Sequence, residues 1–308
     1  MIQVRNIRKH YRKKVAVDDL SFTVQTGKVT GFLGPNGAGK STTMRLMLGL
    51  DHGTGSTLYD EKPLQSYADP AQVVGVLLEA KAFHPTRTAR NHLQVLADAS
   101  GIPSARVAEV LDIVGLSDVA NKRPGKFSLG MSQRLGIAAA ILGKPKYLLL
   151  DEPANGLDPE GIAWLRQFIT DYAAQGNGVF ISSHLLSEMS QMADDIVVIG
   201  KGKMIAHGSV HDLVAKSKHS AVFVRTHDQA ELKKLLAKTP HPFEAEGKGL
   251  LVRGATTDEI GELLFAKSVA VLELEKRDAS LEEAFLELTE TATEYHAHTQ
   301  TEAAKENN

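Results

Sequence analysis

The chain contains no cysteine, which excludes a disulfide framework, a thiol nucleophile and a thiolate metal site. No apolar run reaches the length of about 18 residues that a membrane-crossing helix needs, so no transmembrane helix is expected. The stretch Met1-Ile2-Gln3-Val4-Arg5 lacks the apolar core of a secretory signal. Neither charge is in excess: 35 Lys+Arg stand against 37 Asp+Glu, a formal net charge of -2. That balance argues against a nucleic-acid coat or a polybasic membrane-surface protein. What remains is an ordinary globular composition, 43% apolar and 23% charged over 308 residues. Such a length accommodates roughly two domains of about 150 residues each. The expectation is an intracellular protein, autonomous or a subunit of something larger.

Hydrophobic patterning divides the chain in two. Residues 1–24 read as two extended runs, closed by a Thr26-Gly27 turn. Val29 to Leu33 is a short apolar strand, and residues 40–49 read as a helix. A buried strand is expected at 73–78, then helices near 88–99, 104–114 and 131–143. Strands Tyr147–Leu150, Val179–Ser182 and Ile196–Ile199 alternate with helices 160–174 and 185–192. That alternation predicts an α/β fold whose parallel sheet is covered on both faces. After about residue 215 the order becomes β-α-β-β-α-β, the pattern of a ferredoxin-like unit, with strands at 220–225, 243–246, 249–253 and 269–274. An amphipathic helix at 280–289 closes it, with Leu281, Phe285 and Leu288 on one face; its partner is expected to be its own small sheet or a second subunit. The reading is a domain at 1–215, with a helical part at about 84–143, an accessory domain at 216–290 and a disordered polar tail at 291–308.

Residues 34–41, Gly34-Pro35-Asn36-Gly37-Ala38-Gly39-Lys40-Ser41, match G-x-x-x-x-G-K-[ST] in full, between a strand and a helix. The glycines let backbone N–H groups turn inward around an anion, and the helix N-terminus adds partial positive charge. Lys40 can reach β- and γ-phosphates, and the Ser41 hydroxyl can ligate Mg²⁺; Thr42 follows within the first helical turn. The pattern alone leaves GTPases, kinases, recombinases and transport ATPases open. Asn121-Lys122-Arg123-Pro124 breaks the guanine-reading pattern Asn-Lys-x-Asp at its last position. A second acidic site narrows the choice: the apolar strand Tyr147-Leu148-Leu149-Leu150 ends in Asp151-Glu152. There Asp151 can hold Mg²⁺ and Glu152 can act as general base on an attacking water.

Residues 127–134, Phe127-Ser128-Leu129-Gly130-Met131-Ser132-Gln133-Arg134, precede that strand. Here the chain resembles the ATP-binding subunit of an ABC transporter, a P-loop cassette, over residues 2 to about 215. Its LSGGQ signature aligns Ser128 with the Ser and Gly130 with the second Gly. The resemblance implies a sandwich homodimer in which the signature Ser and helix N-terminus of one subunit cap the ATP held by the other. It also implies that Tyr11 stacks on adenine and that Asn155-Gly156-Leu157-Asp158 is the D-loop at the dimer interface. His184, after Ser183, resembles the switch histidine that contacts the γ-phosphate. Two positions depart from the signature: Leu129 replaces its first Gly and Met131 its Gln. If that Gly needs a positive φ, Leu129 would be strained. Glu79 stands where most members carry Gln, which adds a carboxylate near Mg²⁺. Ser-Leu-Gly-Met with this Glu, and the ending Ser280-Leu281-Glu282-Glu283-Ala284-Phe285, resemble the bacterial antibiotic-export branch, including bacitracin-type exporters.

The resemblance implies an ATPase using ATP and Mg²⁺ on the cytoplasmic face of the membrane, powering a separate membrane-spanning subunit and binding no nucleic acid. The segment 79–85 is the expected coupling surface, with Phe83 either its apolar anchor or a local core contact. Two other readings are weighed: a translation or DNA-repair ABC protein, which would need a second cassette or long coiled-coil insertions, and a regulatory subunit without hydrolysis. Intact Lys40, Asp151, Glu152 and His184 speak against the second.

Overall fold

The computed structural model describes residues 1–12, 14–184, 186–215 and 220–289; the tail expected to be disordered lies outside the described residues. Strands β1 (Ile2–Tyr11) and β2 (Lys14–Val24) pair antiparallel, then β3 (Val29–Leu33) runs through the phosphate-loop motif into helix α1 (Lys40–Met47). Next come β4 (Thr54–Tyr59), the single turn α2 (Pro70–Val73) and β5 (Val74–Leu77). Helices α3 (Ala89–Ala99), α4 (Ala105–Ile113) and α5 (Leu129–Ala140) follow. The remainder alternates: β6 (Tyr147–Asp151), α6 (Pro159–Ala174), β7 (Gly178–Ser183), α7 (Leu186–Met192), β8 (Asp195–Gly200), then β9 (Lys203–Ser209) and α8 (Val210–Ala215). The patterning did not foresee β4, β9, α2 or α8.

The main sheet has the order β5-β6-β7-β3-β8-β9. Its first five strands are parallel and β9 runs antiparallel to β8. A second, antiparallel sheet has the order β2-β1-β4. Every residue of β3 and β7 is buried, because both faces of the sheet are covered. On one face, α3 to α7 bury Leu93, Val110, Leu111, Leu135, Leu165 and Ile169 against Leu148, Leu150 and Ile181. On the other, Phe22 of the antiparallel sheet stacks on Phe180 at 5.4 Å and lies 5.8 Å from Phe32. Edge and offset aromatic contacts of this kind add about 0.5–1.5 kcal/mol beyond the area they bury. Phe83 packs against the first of these cores, so it is a local core contact.

Beyond residue 220, β10 (Ala221–Thr226), α9 (Gln229–Leu236), β11 (Phe243–Glu246), β12 (Gly249–Arg253), α10 (Thr257–Ala266) and β13 (Val271–Arg277) build a four-stranded sheet of order β11-β12-β10-β13. All its pairings are antiparallel. Val222, Val224, Leu232, Leu250, Ile260 and Leu264 form its own core. The last helix, α11 (Leu281–Thr289), corrects an expectation. It packs on α7, α8 and β9 rather than on its own sheet, and Leu281, 2% exposed, belongs to the main core with Phe285 against it. Leu281 and Phe285 of its apolar face are thus covered by the first 215 residues of the same chain.

Candidate active site

Parallel strands β5, β6, β7 and β3 bring their carboxyl ends to one edge of the sheet, where ligands bind in open α/β folds. Register places Asp151 beside Ser182 and Leu33 beside Ser183. Beyond β3, the loop Gly34 to Gly39 is shaped by glycine at two positions. Gly39 has a φ of 110°, and a Cβ there would lie 2.4 Å from the Ala16 carbonyl oxygen. A Cβ on Gly34 would lie 2.6 Å from the Ile199 carbonyl oxygen. Larger residues cannot be placed at either point without moving backbone. Helix α1 starts directly after Gly39 with no side-chain cap and no acidic residue in its first turn. Its first N–H groups and its dipole are therefore available to an anion. Asn36, Gly37 and Ser41 are exposed at the rim, with Pro35 and Thr42 half-buried.

Lys40 is only 7% exposed. Its ammonium donates to the Gly34 carbonyl at 2.7 Å and lies 3.4 Å from Glu152 Oε1. The other carboxylate oxygen, Glu152 Oε2, is 2.7 Å from His184 Nδ1. Glu152 thus bridges the phosphate-loop lysine and the histidine after β7. Its φ is 48°, a left-handed conformation that a non-glycine residue holds only where its surroundings enforce it. The fully buried Ser182 contributes: its hydroxyl accepts from the Glu152 N–H at 2.9 Å and donates to Asp151 Oδ1 at 2.5 Å. Glu188, on α7, has its carboxyl raised first by burial and further by Glu152, with Arg166 and His184 opposing.

The sequence-expected residues stand in four places. Lys40, Glu152 and His184 are in mutual contact through Glu152. Tyr11, 47% exposed, stands at the flank of α1, its hydroxyl donating to Asp51 at 2.8 Å. That hydrogen bond to Asp51 raises its pKa, with Thr42 opposing. Glu79 is exposed just past β5. Ser128 and Gly130 stand elsewhere, at the start of α5. Ser128 Oγ caps that helix, accepting from the Met131 N–H at 3.1 Å, so α5 begins at Leu129 rather than 131. Leu129 is helical and carries no backbone strain. A Cβ on Gly156, where φ is 77°, would lie 2.2 Å from Leu129 Cδ2. Sequence reasoning missed Ser182 and Gln133, both buried polar residues.

Comparison with known proteins decides what this site belongs to. A family model described as ABC transporter matches residues 17–155, and one for a domain of unknown function matches 220–282. An uncharacterized ABC transporter ATP-binding protein of Bacillus subtilis, YhcH, is 34% identical over 302 residues, covering 97% of this chain and 99% of its own. This chain belongs to the ABC transporter ATP-binding proteins. It is the ATPase subunit of such a transporter. The bacitracin transport ATP-binding protein BcrA of Bacillus licheniformis is 36% identical over 297 residues, covering 94% of this chain and 97% of its own. A solved ATP-binding subunit of an ABC transporter superposes with a TM-score of 0.64 at 28% identity, over 70% of this chain and 92% of that one. ATP-binding cassettes of this family work as dimers with a membrane component, and among the described residues no helix is long and apolar enough to cross a membrane.

Proposed function

We propose that this subunit hydrolyses ATP to drive export of an antibiotic, peptide or similar compound through a separate membrane-spanning protein, from the cytoplasmic face of the membrane. Two copies form a sandwich, the Ser128 and Gly130 end of α5 capping the ATP on the partner's phosphate loop. Gly34 to Thr42 hold the phosphates, and Tyr11 stacks on adenine. The observation that carries the chemistry is Glu152, set between Lys40 and His184 at the end of β6. Glu152 takes the proton of the water that attacks the γ-phosphate, giving ADP and phosphate. Lys40 neutralises the β- and γ-phosphate oxygens, and His184 orients Glu152 and the γ-phosphate. The hydroxyl of Ser41 and the carboxylates of Asp151 and Glu79 are hard oxygen donors suited to Mg²⁺. That ion, when bound, neutralises charge on the phosphates.

Residues 216–290 are the accessory domain in this reading, with a part in dimer contact or regulation and none in nucleotide chemistry. The segment 79–85 is the coupling surface to the membrane subunit. Similarity to the bacitracin transport protein favours export over a role in translation or DNA repair. Glu152→Gln tests the central claim. ATP binding should persist while phosphate release from the purified protein falls by about 10²–10⁴. Near-normal turnover would remove Glu152 from its role. Co-purification of an integral membrane subunit, with ATPase stimulated by bacitracin as first probe, tests the transport reading.

A further inference from the structure

Three of the groups that hold Glu152 have been described: Lys40 and His184 at its carboxylate and Ser182 at its N–H. The fourth is Gln133, which reaches over from α5. Its side chain is 4% exposed. Its Nε2 donates to the Glu152 carbonyl at 3.2 Å and to the Asn155 carbonyl at 3.3 Å. Gln133 Oε1 is buried with no hydrogen-bond partner among the described residues. The amide cannot be turned over to relieve this, because the oxygen would then face two carbonyl oxygens. A buried acceptor left unsatisfied costs about 1–3 kcal/mol. The fold tolerates that cost at the point where a left-handed Glu152, φ 48°, must be held. A second anchor joins the same two segments: Leu129 covers Gly156, and Gly130 lies against the Gly156 carbonyl and Leu157.

We propose that Gln133 is a positioning residue for hydrolysis, its amide nitrogen fixing the backbone of Glu152 and of the Asn155 turn to the signature helix of the same subunit. The inference rests on the reading of Glu152 as the base. Its consequence is coupling between the two sites of the dimer. Ser128 caps α5 and Gln133 lies on its second turn. Nucleotide engaged by Ser128 at one site therefore acts, through a single rigid helix start, on the base of the other site. The signature departure Leu129 strengthens this link, since glycine at 129 would leave Gly156 uncovered.

The test uses the purified full chain with three variants: Gln133→Met, Glu152→Gln and the two combined. Methionine keeps the length of the side chain and removes both the donor and the unsatisfied oxygen, so the thermal midpoint should fall by no more than about 3 °C. Affinity for a fluorescent ATP analogue should stay within about twofold of the parent. Turnover should fall about tenfold or more, the scale of a misplaced catalytic group. In single-turnover assays the double variant should be no slower than Glu152→Gln alone, because both changes act through one residue. Turnover within about twofold of the parent in Gln133→Met overturns the proposal, as does a double variant in which the two losses multiply. Should Gln133→Met fail to fold, Gln133→Asn, which keeps the amide but cannot reach, must show the same split. Loss of ATP binding together with turnover there means a purely structural role and also overturns it. If Glu152→Gln alone keeps turnover, it is the reading of the base that falls.

Discussion

The Glu152 carboxylate and the His184 imidazole meet at 2.7 Å although 32 residues separate them in sequence. β6 and β7 lie side by side in parallel register, so residues following the two strands emerge together. His184→Ala should lower hydrolysis by about 10²–10³, the cost of losing one preorganised polar group. ATP affinity should change little, because Lys40 and the phosphate loop are untouched. Phosphate release and equilibrium titration separate the two effects, and a parallel fall in both would place His184 in binding instead.

Gly156 and Leu129 form a matched pair. Gly156→Ala should disturb the D-loop, because the new Cβ would meet Leu129 Cδ2 at 2.2 Å. Adding Leu129→Gly should recover part of the loss. A residue of about 1 kcal/mol should remain from the left-handed backbone. Thermal melting and ATPase assays of the single and double variants check this, and an additive double variant would show that the two side chains do not interfere.

The phosphate loop was legible because glycines, a lysine and a hydroxyl at set intervals leave few other uses for that pattern. The acidic strand end became informative only beside it. β4 escaped because Thr54-Gly55-Ser56-Thr57 is polar, glycine-containing and largely exposed. β9 is likewise half-exposed along its length and carries no clean alternation. Ser182 and Gln133 were silent for another reason. Each is a polar residue within a buried element, and its meaning lies in a bond to a segment distant in sequence. Periodicity showed the apolar face of α11 but not what would cover it.

Asp60 offers a pH test of the fold. Burial alone would raise its carboxyl, but hydrogen bonds from Lys146, the Met1 amino group and Tyr147 hold it at about 2. Lys146 Nζ lies at 2.7 Å and Tyr147 OH at 2.6 Å. In an unfolded chain an aspartate titrates near about 3.9. The folded value is depressed, so this stabilisation is present above about pH 4 and is lost as the pH falls towards about 2. Its side chain is 37% exposed, and solvent screening reduces the contribution to about 1 kcal/mol. Asp60→Asn should therefore lower the urea midpoint at pH 7 and only about half as much near pH 3. An equal loss at both would mean that the charge is not responsible.

Leu281 anchors α11 in the main core. Leu281→Ala should cost about 2–5 kcal/mol, as for other buried leucines, and lower the thermal midpoint by several degrees. Leu286, on the same helix but 63% exposed, should tolerate alanine within about 0.5 kcal/mol. Equal effects from the two would show that α11 does not seat as described.

The place of α11 also has a bearing on synthesis. A ribosome releases the phosphate loop, both acidic residues and His184 well before it releases the helix that covers α7 and α8. Roughly 65 further residues must be added after α8, which at about 5–20 residues per second takes seconds. During that interval the nascent cassette carries every nucleotide-binding element with one flank of its core bare. A message cut short in this stretch would yield a chain with the whole nucleotide motif set and an open apolar flank, a species that quality control would meet as a substrate for chaperones or proteases.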